Sequence, residues 1–255
     1  MINIFDLLVN RPLGFIIEQI YKLGLNYGWS IIIFTIIVKL IILPLNIKSQ
    51  KAMRKQQKVQ PILMELQKKY ANDREKLSTE TMKVYKENNI SMMGGCLPLL
   101  IQFPILIGLW NVIRKGMAGA TNLDFYGLDL ARNPSEGFSA LMRSDFSDIA
   151  LILLIIIPLL AMFTTWLSSW QTQRMNKQPQ SEQSEQMNKS MNIMMPLMTG
   201  FFSLTLPAGL GIYWIVANIF QIAQQYFVNL YLEKKEDDFI VKVPESIRKK
   251  GKKRR

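Results

Sequence analysis

The chain has 255 residues, of which 49% are hydrophobic, and its 31 Lys and Arg against 19 Asp and Glu give a net charge of +12. It has no histidine and one cysteine, Cys96, which excludes His- or Cys-cluster metal sites, His-based catalytic triads and an internal disulfide. The sequence also lacks a G-x-x-x-x-G-K-S/T phosphate-binding loop. We therefore predict a protein that is not an enzyme, holds no cofactor and hydrolyses no ATP.

The first segment, 1–28, is predicted to form an amphipathic helix that starts at Pro12, because proline is favoured in the first turn of a helix. The apolar residues recur there at helical spacing, with polar side chains on the opposite side. They are Leu13, Ile16, Ile17, Ile20 and Tyr21. We expect the helix to lie flat on the outer membrane face, and a lid packed against the rest of the protein is an equally open alternative.

An apolar run at 29–45 is the first predicted transmembrane segment. Lys39 lies ten residues into this run, about 15 Å along the helix from Trp29 and so near the bilayer midplane. A lysine at that depth costs about 2.5–3.5 kcal/mol on insertion scales. We therefore expect a compensating polar environment that includes Thr35, one turn earlier. Snorkelling of the ammonium toward the cytoplasmic end is the alternative.

Segment 46–96 is long and highly charged, with 11 Lys and Arg residues. Its apolar residues recur at helical spacing in two stretches, which Ala71-Asn72-Asp73 separates. We predict a cytoplasmic hairpin of two helices, at about 47–70 and 73–88, which pack weakly on each other and are mobile. The hairpin either handles partners or serves as a solvated spacer.

Four further apolar runs predict transmembrane segments at 97–113, 149–167, 193–206 and 208–227. An extracytoplasmic loop at 114–148, a cytoplasmic loop at 168–192 and a basic cytoplasmic tail at 228–255 complete the chain. The run at 193–206 gives only about 21 Å of helix, so we expect it to thin the bilayer. The methionines at its start form either a flexible binding surface or ordinary core.

The predicted fold class is an all-α integral membrane protein. It is a five-transmembrane-helix bundle with a cytoplasmic helical hairpin and an N-terminal interfacial amphipathic helix. Segments 46–96, 168–192 and 228–255 hold 24 Lys and Arg residues, whereas 1–28 and 114–148 hold six. Because basic segments stay in the cytoplasm, we expect the N-terminus outside and the C-terminus inside.

Polar residues recur within the predicted spans of several helices. They include Gln102 in the second span, Thr164 in the third, and a single helical stripe on the fifth that consists of Trp214, Asn218, Gln221 and Gln225. We expect these residues to converge with Lys39 on a hydrated cavity. Hydrogen bonding between helices, which uses such side chains without water, is the alternative.

Two long motifs follow one another in the chain. They are Gly94-Gly95-Cys96-Leu97-Pro98-Leu99-Leu100-Ile101-Gln102-Phe103-Pro104 and Pro207-Ala208-Gly209-Leu210-Gly211-Ile212-Tyr213-Trp214-Ile215-Val216-Ala217-Asn218. With the stretch at 39–45 and the charged hairpin, they resemble the YidC family of membrane protein insertases, in the Oxa/Alb superfamily, over about residues 25–232. The resemblance implies a bacterial plasma-membrane protein whose groove opens to the cytoplasm and to lipid, is closed on the outer side, and accepts nascent transmembrane segments.

The resemblance also implies roles for the polar residues. Lys39 would be the basic residue of the groove, Thr35 its neighbour, and the residues that line or flank the path would be Gln102, Thr164, Tyr213 and Trp214. Asn218 and Gln221 complete the predicted groove. The basic position is usually arginine in this family, and a lysine does not offer the bidentate carboxylate contact of arginine. Without a large extracytoplasmic domain or a lipoprotein-type cysteine, a minimal form from a Gram-positive-like cell is expected.

The implied partners are nascent membrane proteins, the ribosome through the basic tail and the hairpin, and the Sec translocon as a further candidate. The tail ends in Lys249-Lys250-Gly251-Lys252-Lys253-Arg254-Arg255, which suits ribosomal RNA or anionic lipid, whereas no DNA partner is expected. Two other functions are alternatives. One is a transporter or channel with Lys39 as counter-charge to the substrate, and the other is a membrane chaperone that uses the same groove to fold spans without inserting them. The predicted spans contain no acidic residue to couple ions, which disfavours the transporter.

Overall fold

The computed structural model describes residues 5–91, 97–119, 122–143, 149–175, 182–233 and 241–242. Three features singled out in the sequence lie outside these residues or their described side chains. They are the Gly94–Cys96 part of the first motif, the basic tail beyond residue 242, and the side chain of Gln102.

The regular structure of the described residues is almost entirely helical. The helices are α1 (Arg11–Tyr21), which follows a π-helical turn at Asp6–Asn10, α2 (Tyr27–Lys69), α3 (Arg74–Glu87), α4 (Leu97–Gly119), α5 (Ser135–Met142), α6 (Ile149–Met175), α7 (Glu182–Thr205) and α8 (Ala208–Glu233). The helices that carry the predicted spans extend past the apolar runs, because the flanking polar residues continue the helical conformation.

The predicted loop at 114–148 contains a small exception to the all-α class. Strands β1 (Asp124–Phe125) and β2 (Leu128–Asp129) pair antiparallel. Tyr126 and Gly127 join them with φ angles of 56° and 83°, and positive φ at both central residues is what a two-residue hairpin turn requires.

The first predicted span and the first hairpin helix are one continuous helix. α2 runs for 43 residues, about 65 Å, and it contains both the predicted span at 29–45 and most of the predicted hairpin helix at 47–70. Pro44 and Pro61 lie inside α2 without ending it, and the charged stretch between them consists mostly of good helix formers. The position along α2 at which the helix leaves the membrane remains a prediction.

α3 folds back along the end of α2. Its first turn is capped by Asp73, whose carboxylate accepts the backbone N–H of Lys76 at 3.0 Å, and this bond lowers the pKa of the carboxyl group. The two helices share a small apolar cluster, the hairpin cluster, made of Val59, Leu63, Leu66, Val84 and Ile90.

α1 packs against the bundle instead of lying apart from it. Ile17 and Ile20 are buried in the main core together with Tyr27 and Val112. Phe15 points the other way and is 64% exposed. The packing favours the lid alternative for this helix, while its outer side keeps apolar groups that suit a membrane surface.

The bundle has two distinct ends. We define the loop end by β1, β2 and α5, and the hairpin end by α3. α2 begins at the loop end, where the ring centroids of Trp29 and Phe125 are 6.0 Å apart. α8 packs against both α2 and α6, and α7 packs mainly on α6. The main apolar core lies at the loop end, where Leu128 and Leu130 join the first halves of α2 and α8.

Candidate functional site

The loop end of the bundle is closed by the loop at 122–143. The backbone N–H of Ala208, the first residue of α8, donates to the carbonyl oxygen of Arg132 at 2.9 Å. The next N–H, of Gly209, donates to the carbonyl oxygen of Leu130 at 3.1 Å. These bonds satisfy N–H groups that the first turn of a helix leaves free. Since Leu130 is fully buried, the loop covers the start of α8.

On α2, α6 and α8, polar side chains follow the last residues of the main core. The main core ends at Val38 on α2, at Ile157 on α6 and at Ala217 on α8. Polar side chains follow in the direction of the hairpin end: Lys39, Thr164 and Asn218. The described interior is mainly apolar at the loop end, and polar side chains become frequent from this level onward.

A contact between α2 and α8 gives the depth of Lys39. The side-chain amide of Asn46 donates to Oε1 of Gln224 at 3.4 Å. Both helices begin at the loop end, so they run parallel. Two turns back from the contact on each helix, Lys39 is level with Ala217. Lys39 thus lies where the apolar core ends.

The ammonium of Lys39 lies at this level and has no ion-pair partner among the described residues. Its side chain is partly exposed, and no described residue lies within hydrogen-bonding or ion-pairing distance of the ammonium. Thr35, the expected polar neighbour, is buried and donates its hydroxyl to the carbonyl oxygen of Ile31 at 2.6 Å. The hydroxyl of Thr35 is therefore hydrogen-bonded within its own helix, whereas the charge of Lys39 can attract a ligand.

Hydrogen bonds join α6 to α8 from this level toward the hairpin end. Asn218 donates its amide to the hydroxyl of Thr165 at 2.8 Å and to that of Thr164 at 3.2 Å. Two turns further on, Gln225 donates to the hydroxyl of Thr172 at 2.8 Å. The structure thus brings together Thr164 and Asn218, both predicted groove residues, in the way that the alternative of interhelical hydrogen bonding predicts. We call this set, which also includes a bond from Gln171 to the carbonyl oxygen of Ile222, the polar seam.

Two oxygens of the polar seam are buried and accept no hydrogen bond from a described residue. They are Oε1 of Gln171 and Oε1 of Gln225. Leaving a buried acceptor unpaired costs about 1–3 kcal/mol. A water molecule or a ligand that donates to these oxygens would be stabilised by a comparable amount.

The other predicted groove residues are divided between core and surface. Tyr213 is buried in the main core, and Trp214 packs against that core with a half-buried ring. Gln221 is partly exposed on α8, and Gln102 belongs to α4. Of the predicted set, it is Lys39, Thr164 and Asn218 that share the depth at which the core ends.

The sequence analysis missed Asn46 and Gln224. Gln224 is buried and faces α2, where it accepts from Asn46, while the adjacent Gln225 bonds to α6. Because α8 lies between α2 and α6, the consecutive residues Gln224 and Gln225 form hydrogen bonds to helices on opposite sides. The Gln224-Gln225 pair is the sequence signal that could have indicated this arrangement.

A cavity of about 460 Å³ lies at the loop end, between α1, the start of α2 and the end of α4. Charged side chains of both signs line it, among them Arg11, Glu18 and Lys115. None of the predicted groove residues does, so this cavity is separate from the predicted groove.

Length and hydropathy single out two helices in the described part of the chain as able to cross a membrane, at 27–69 and 150–174. α8 has a comparable length, but the Asn and Gln residues of its stripe lower its hydropathy. An apolar core at one end and a polar interior at the other, on helices of membrane length, define an integral membrane protein with a partly polar interior.

Comparison with known proteins identifies the family. Residues 19–235 match the family described as 60Kd inner membrane protein. The chain is 39% identical over 215 residues to a protein named membrane protein insertase YidC from Caldanaerobacter subterraneus subsp. tengcongensis, a match that covers 84% of this chain and 90% of the relative. A protein of the same name from Clostridium perfringens is 36% identical over 235 residues, with 91% of each chain covered. The chain belongs to this family, and the resemblance seen in the sequence is confirmed.

A solved structure agrees with this assignment. A crystal structure described as an active YidC insertase with the first transmembrane domain resolved matches with a TM-score of 0.59 at 26% identity. The match covers 88% of this chain and 46% of that longer chain. Family membership assigns the protein to the bacterial inner membrane, and its relatives are named for insertion, which is not an enzymatic role.

Proposed function

We propose that this chain is a membrane protein insertase that moves nascent transmembrane segments from the cytoplasm into the inner membrane. The path is a hydrated groove that starts at Lys39, opens to the hairpin end and sideways to lipid, and is closed at the loop end. The observation that carries the proposal is that the polar side chains of Lys39, Asn218 and Thr164 lie at one level, beyond the apolar core at the loop end. ATP hydrolysis is not part of the mechanism.

In this proposal the chain crosses the membrane five times, with the N-terminus outside and the hairpin end in the cytoplasm. The concentration of Lys and Arg in the segments at the hairpin end supports this orientation. A row of exposed aromatic rings near the end of α6 supports the position of the cytoplasmic interface. The rings of Trp166 and Trp170 stack at 6.4 Å, and the guanidinium of Arg174 lies 4.1 Å from the Trp170 ring. Tryptophan is enriched at that depth of a bilayer.

Insertion is driven by transfer of the apolar segment into lipid. Burial contributes about 0.8 kcal/mol per CH2 group, so an ordinary apolar segment gains more than a short polar flank costs. The groove lowers that cost, because the flank exchanges water for polar side chains and bound water instead of hydrocarbon. The buried acceptors of Gln171 and Gln225 support a hydrated interior. The short apolar part of α7, at 193–205, supports local thinning of the bilayer.

Lys39 attracts the acidic or polar flank of the incoming segment. Since no described residue pairs with the ammonium, no ion pair has to be broken first. An ammonium on a flexible stem acts as a point charge, so it suits a single carboxylate oxygen or a carbonyl. A membrane potential adds about 2.3 kcal/mol per 100 mV for each acidic charge that moves outward.

We further propose that substrates arrive from the ribosome, which contacts the charged hairpin and the basic tail, either alone or beside the Sec translocon. Exposed basic residues around the hairpin turn support contact with a polyanion: Lys68, Lys69, Arg74 and Lys76. Anionic lipid is the other ligand proposed for the tail. Ribosome binding through these charges falls as salt is added.

Reconstitution tests the function most simply. The purified full-length chain is placed in liposomes, a single-span substrate with an acidic leader is synthesised outside them, and protease is added. We expect the leader to be protected in liposomes that contain the chain and degraded in empty liposomes. Substrate that binds without protection would favour a membrane chaperone, and solute flux without protection would favour a transporter. Either result contradicts the proposal.

A further inference from the structure

The end of α3 presents a side chain that binds the backbone of a distant segment. Asn88 is buried, its amide donates to the carbonyl oxygen of Lys242 at 3.1 Å, and its Oδ1 accepts the backbone N–H of Lys242 at 2.8 Å. The same amide also donates to the carbonyl oxygen of Val84 at 2.8 Å. The whole carboxamide is therefore engaged, and it holds Lys242 through main-chain atoms alone.

The way in which α3 ends fixes the position of Asn88. Asn89 has a φ of 51°, and its backbone N–H donates to the carbonyl oxygen of Lys86 at 3.1 Å. The backbone N–H of Ile90 donates to the carbonyl oxygen of Tyr85 at 2.9 Å. This pair of bonds, with a left-handed residue between helix and loop, is a Schellman ending. Asn88 is thus held at a defined place on the hairpin.

An apolar site lies next to this carboxamide. Val241 packs against the hairpin cluster, whereas the side chain of Lys242 is exposed. A packed side chain followed by an exposed one is the alternation that an extended segment shows. The site therefore recognises one apolar side chain followed by a residue whose backbone N–H and carbonyl oxygen are both available for hydrogen bonds.

We propose that the hairpin carries a docking site for an extended polypeptide segment, that residues 241–242 occupy it in cis, and that an unfolded segment of another chain competes with them. Because the site binds main-chain atoms and one apolar side chain, many unfolded segments fit it. The described residues 241–242 are held by few contacts. Their covalent connection to α8 gives them a high effective concentration at the site but leaves them exchangeable. This docking goes beyond the proposed insertion function and does not depend on it.

A fluorescent peptide with the sequence of residues 238–245 tests the site on the full-length chain in detergent. The parent chain is expected to bind it weakly, because its own tail occupies the site. A chain with Val241→Asp releases the tail and keeps Asn88, so its affinity for the peptide is expected to be at least about tenfold higher. The double variant Asn88→Ala, Val241→Asp is expected to lose this gain. Lys242→Ala is the matched control and is expected to behave as the parent, since only its main-chain atoms are bound.

A changed peptide tests the main-chain contact itself. Lys242→Pro in the peptide removes the N–H that Oδ1 of Asn88 accepts, so this peptide is expected not to bind to the Val241→Asp chain. Equal binding of the parent and Lys242→Pro peptides would overturn recognition through the main chain.

Hydrogen exchange tests the docking without any added peptide. The amide of Lys242 is expected to exchange at least about tenfold faster in Asn88→Ala than in the parent. Ser91→Ala, at an exposed position just beyond α3, serves as control and is expected to match the parent. The proposal is overturned by equal exchange in Asn88→Ala and the parent, or by a Val241→Asp chain that binds the peptide no better than the parent does.

Discussion

The two halves of the bundle are held together by different interactions. At the loop end, buried apolar side chains fill the interior, and glycines let elements approach closely: Gly28 lies against the ring of Phe125, and Gly116 against that of Tyr27, with no room for a side chain. At the hairpin end, α6 and α8 are joined by the hydrogen bonds of the polar seam. Dense apolar packing resists change, whereas an interior of polar side chains can exchange partners with water or a guest.

In the proposed mechanism, stability and function therefore belong to different parts of the same helices. α2, α6 and α8 each contribute their first part to the apolar core and their second part to the polar region. The half at the loop end therefore anchors all three helices. In the proposed mechanism, the other half rearranges around a substrate while the anchor stays folded.

The largest expected loss of stability comes from a substitution at the loop end. Ile31 on α2 is fully buried, and Ile31→Ala is expected to lower the free energy of unfolding by about 2–5 kcal/mol through lost contacts and a cavity. Ile36→Ala on the same helix, where the side chain is 38% exposed, is expected to lower it by less than about 1 kcal/mol. Reversible unfolding in mixed micelles, followed by circular dichroism, measures both. Equal losses would mean that the core is not at the loop end.

A smaller effect is expected from the polar seam. Asn218→Ala removes two hydrogen bonds between α6 and α8. It is expected to lower the free energy of unfolding by about 0.6–1.7 kcal/mol, which are the average and the maximum found for one such bond within a membrane. Gln221→Ala, on the same helix but partly exposed, should stay within about 0.5 kcal/mol of the parent. The same micelle assay applies. If Asn218→Ala lowered the free energy of unfolding as much as Ile31→Ala does, the proposed difference between the two halves would be contradicted.

The sequence was sufficient for the long apolar helices and for Lys39, Thr164 and Asn218 near the end of the core, whereas α5 was not expected within the loop at 114–148. Apolar runs of membrane length fix where helices form, and a lone lysine in such a run stands out because its insertion is costly. The stripe on α8 was visible because Asn218, Gln221 and Gln225 share a helical face. These signals are local, so a single sequence reveals them.

The parts that could not be predicted depend on contacts between distant segments. Nothing local shows that α2 passes unbroken from an apolar to a charged stretch, since both compositions form helices. The β-hairpin at 124–129 is too short to show an alternating pattern. Gln224 and Asn88 form their hydrogen bonds with Asn46 and Lys242, respectively. Because these partners are far away in the chain, the local sequence does not indicate the bonds. Thr35 was expected to accompany Lys39, but its hydroxyl is used by its own helix.

The charge of Lys39 at the end of the apolar core is the central claim, and insertion of an acidic-leader substrate into liposomes tests it directly. Lys39→Arg is expected to retain insertion, Lys39→Glu to abolish it, and Lys39→Leu to lower its rate at least about tenfold, which corresponds to about 1.4 kcal/mol. Lys48→Leu, at an exposed lysine further along α2, is the matched control and should insert as the parent does. If Lys39→Leu protects the leader as well as the parent chain does, the groove does not need this charge and the account is contradicted.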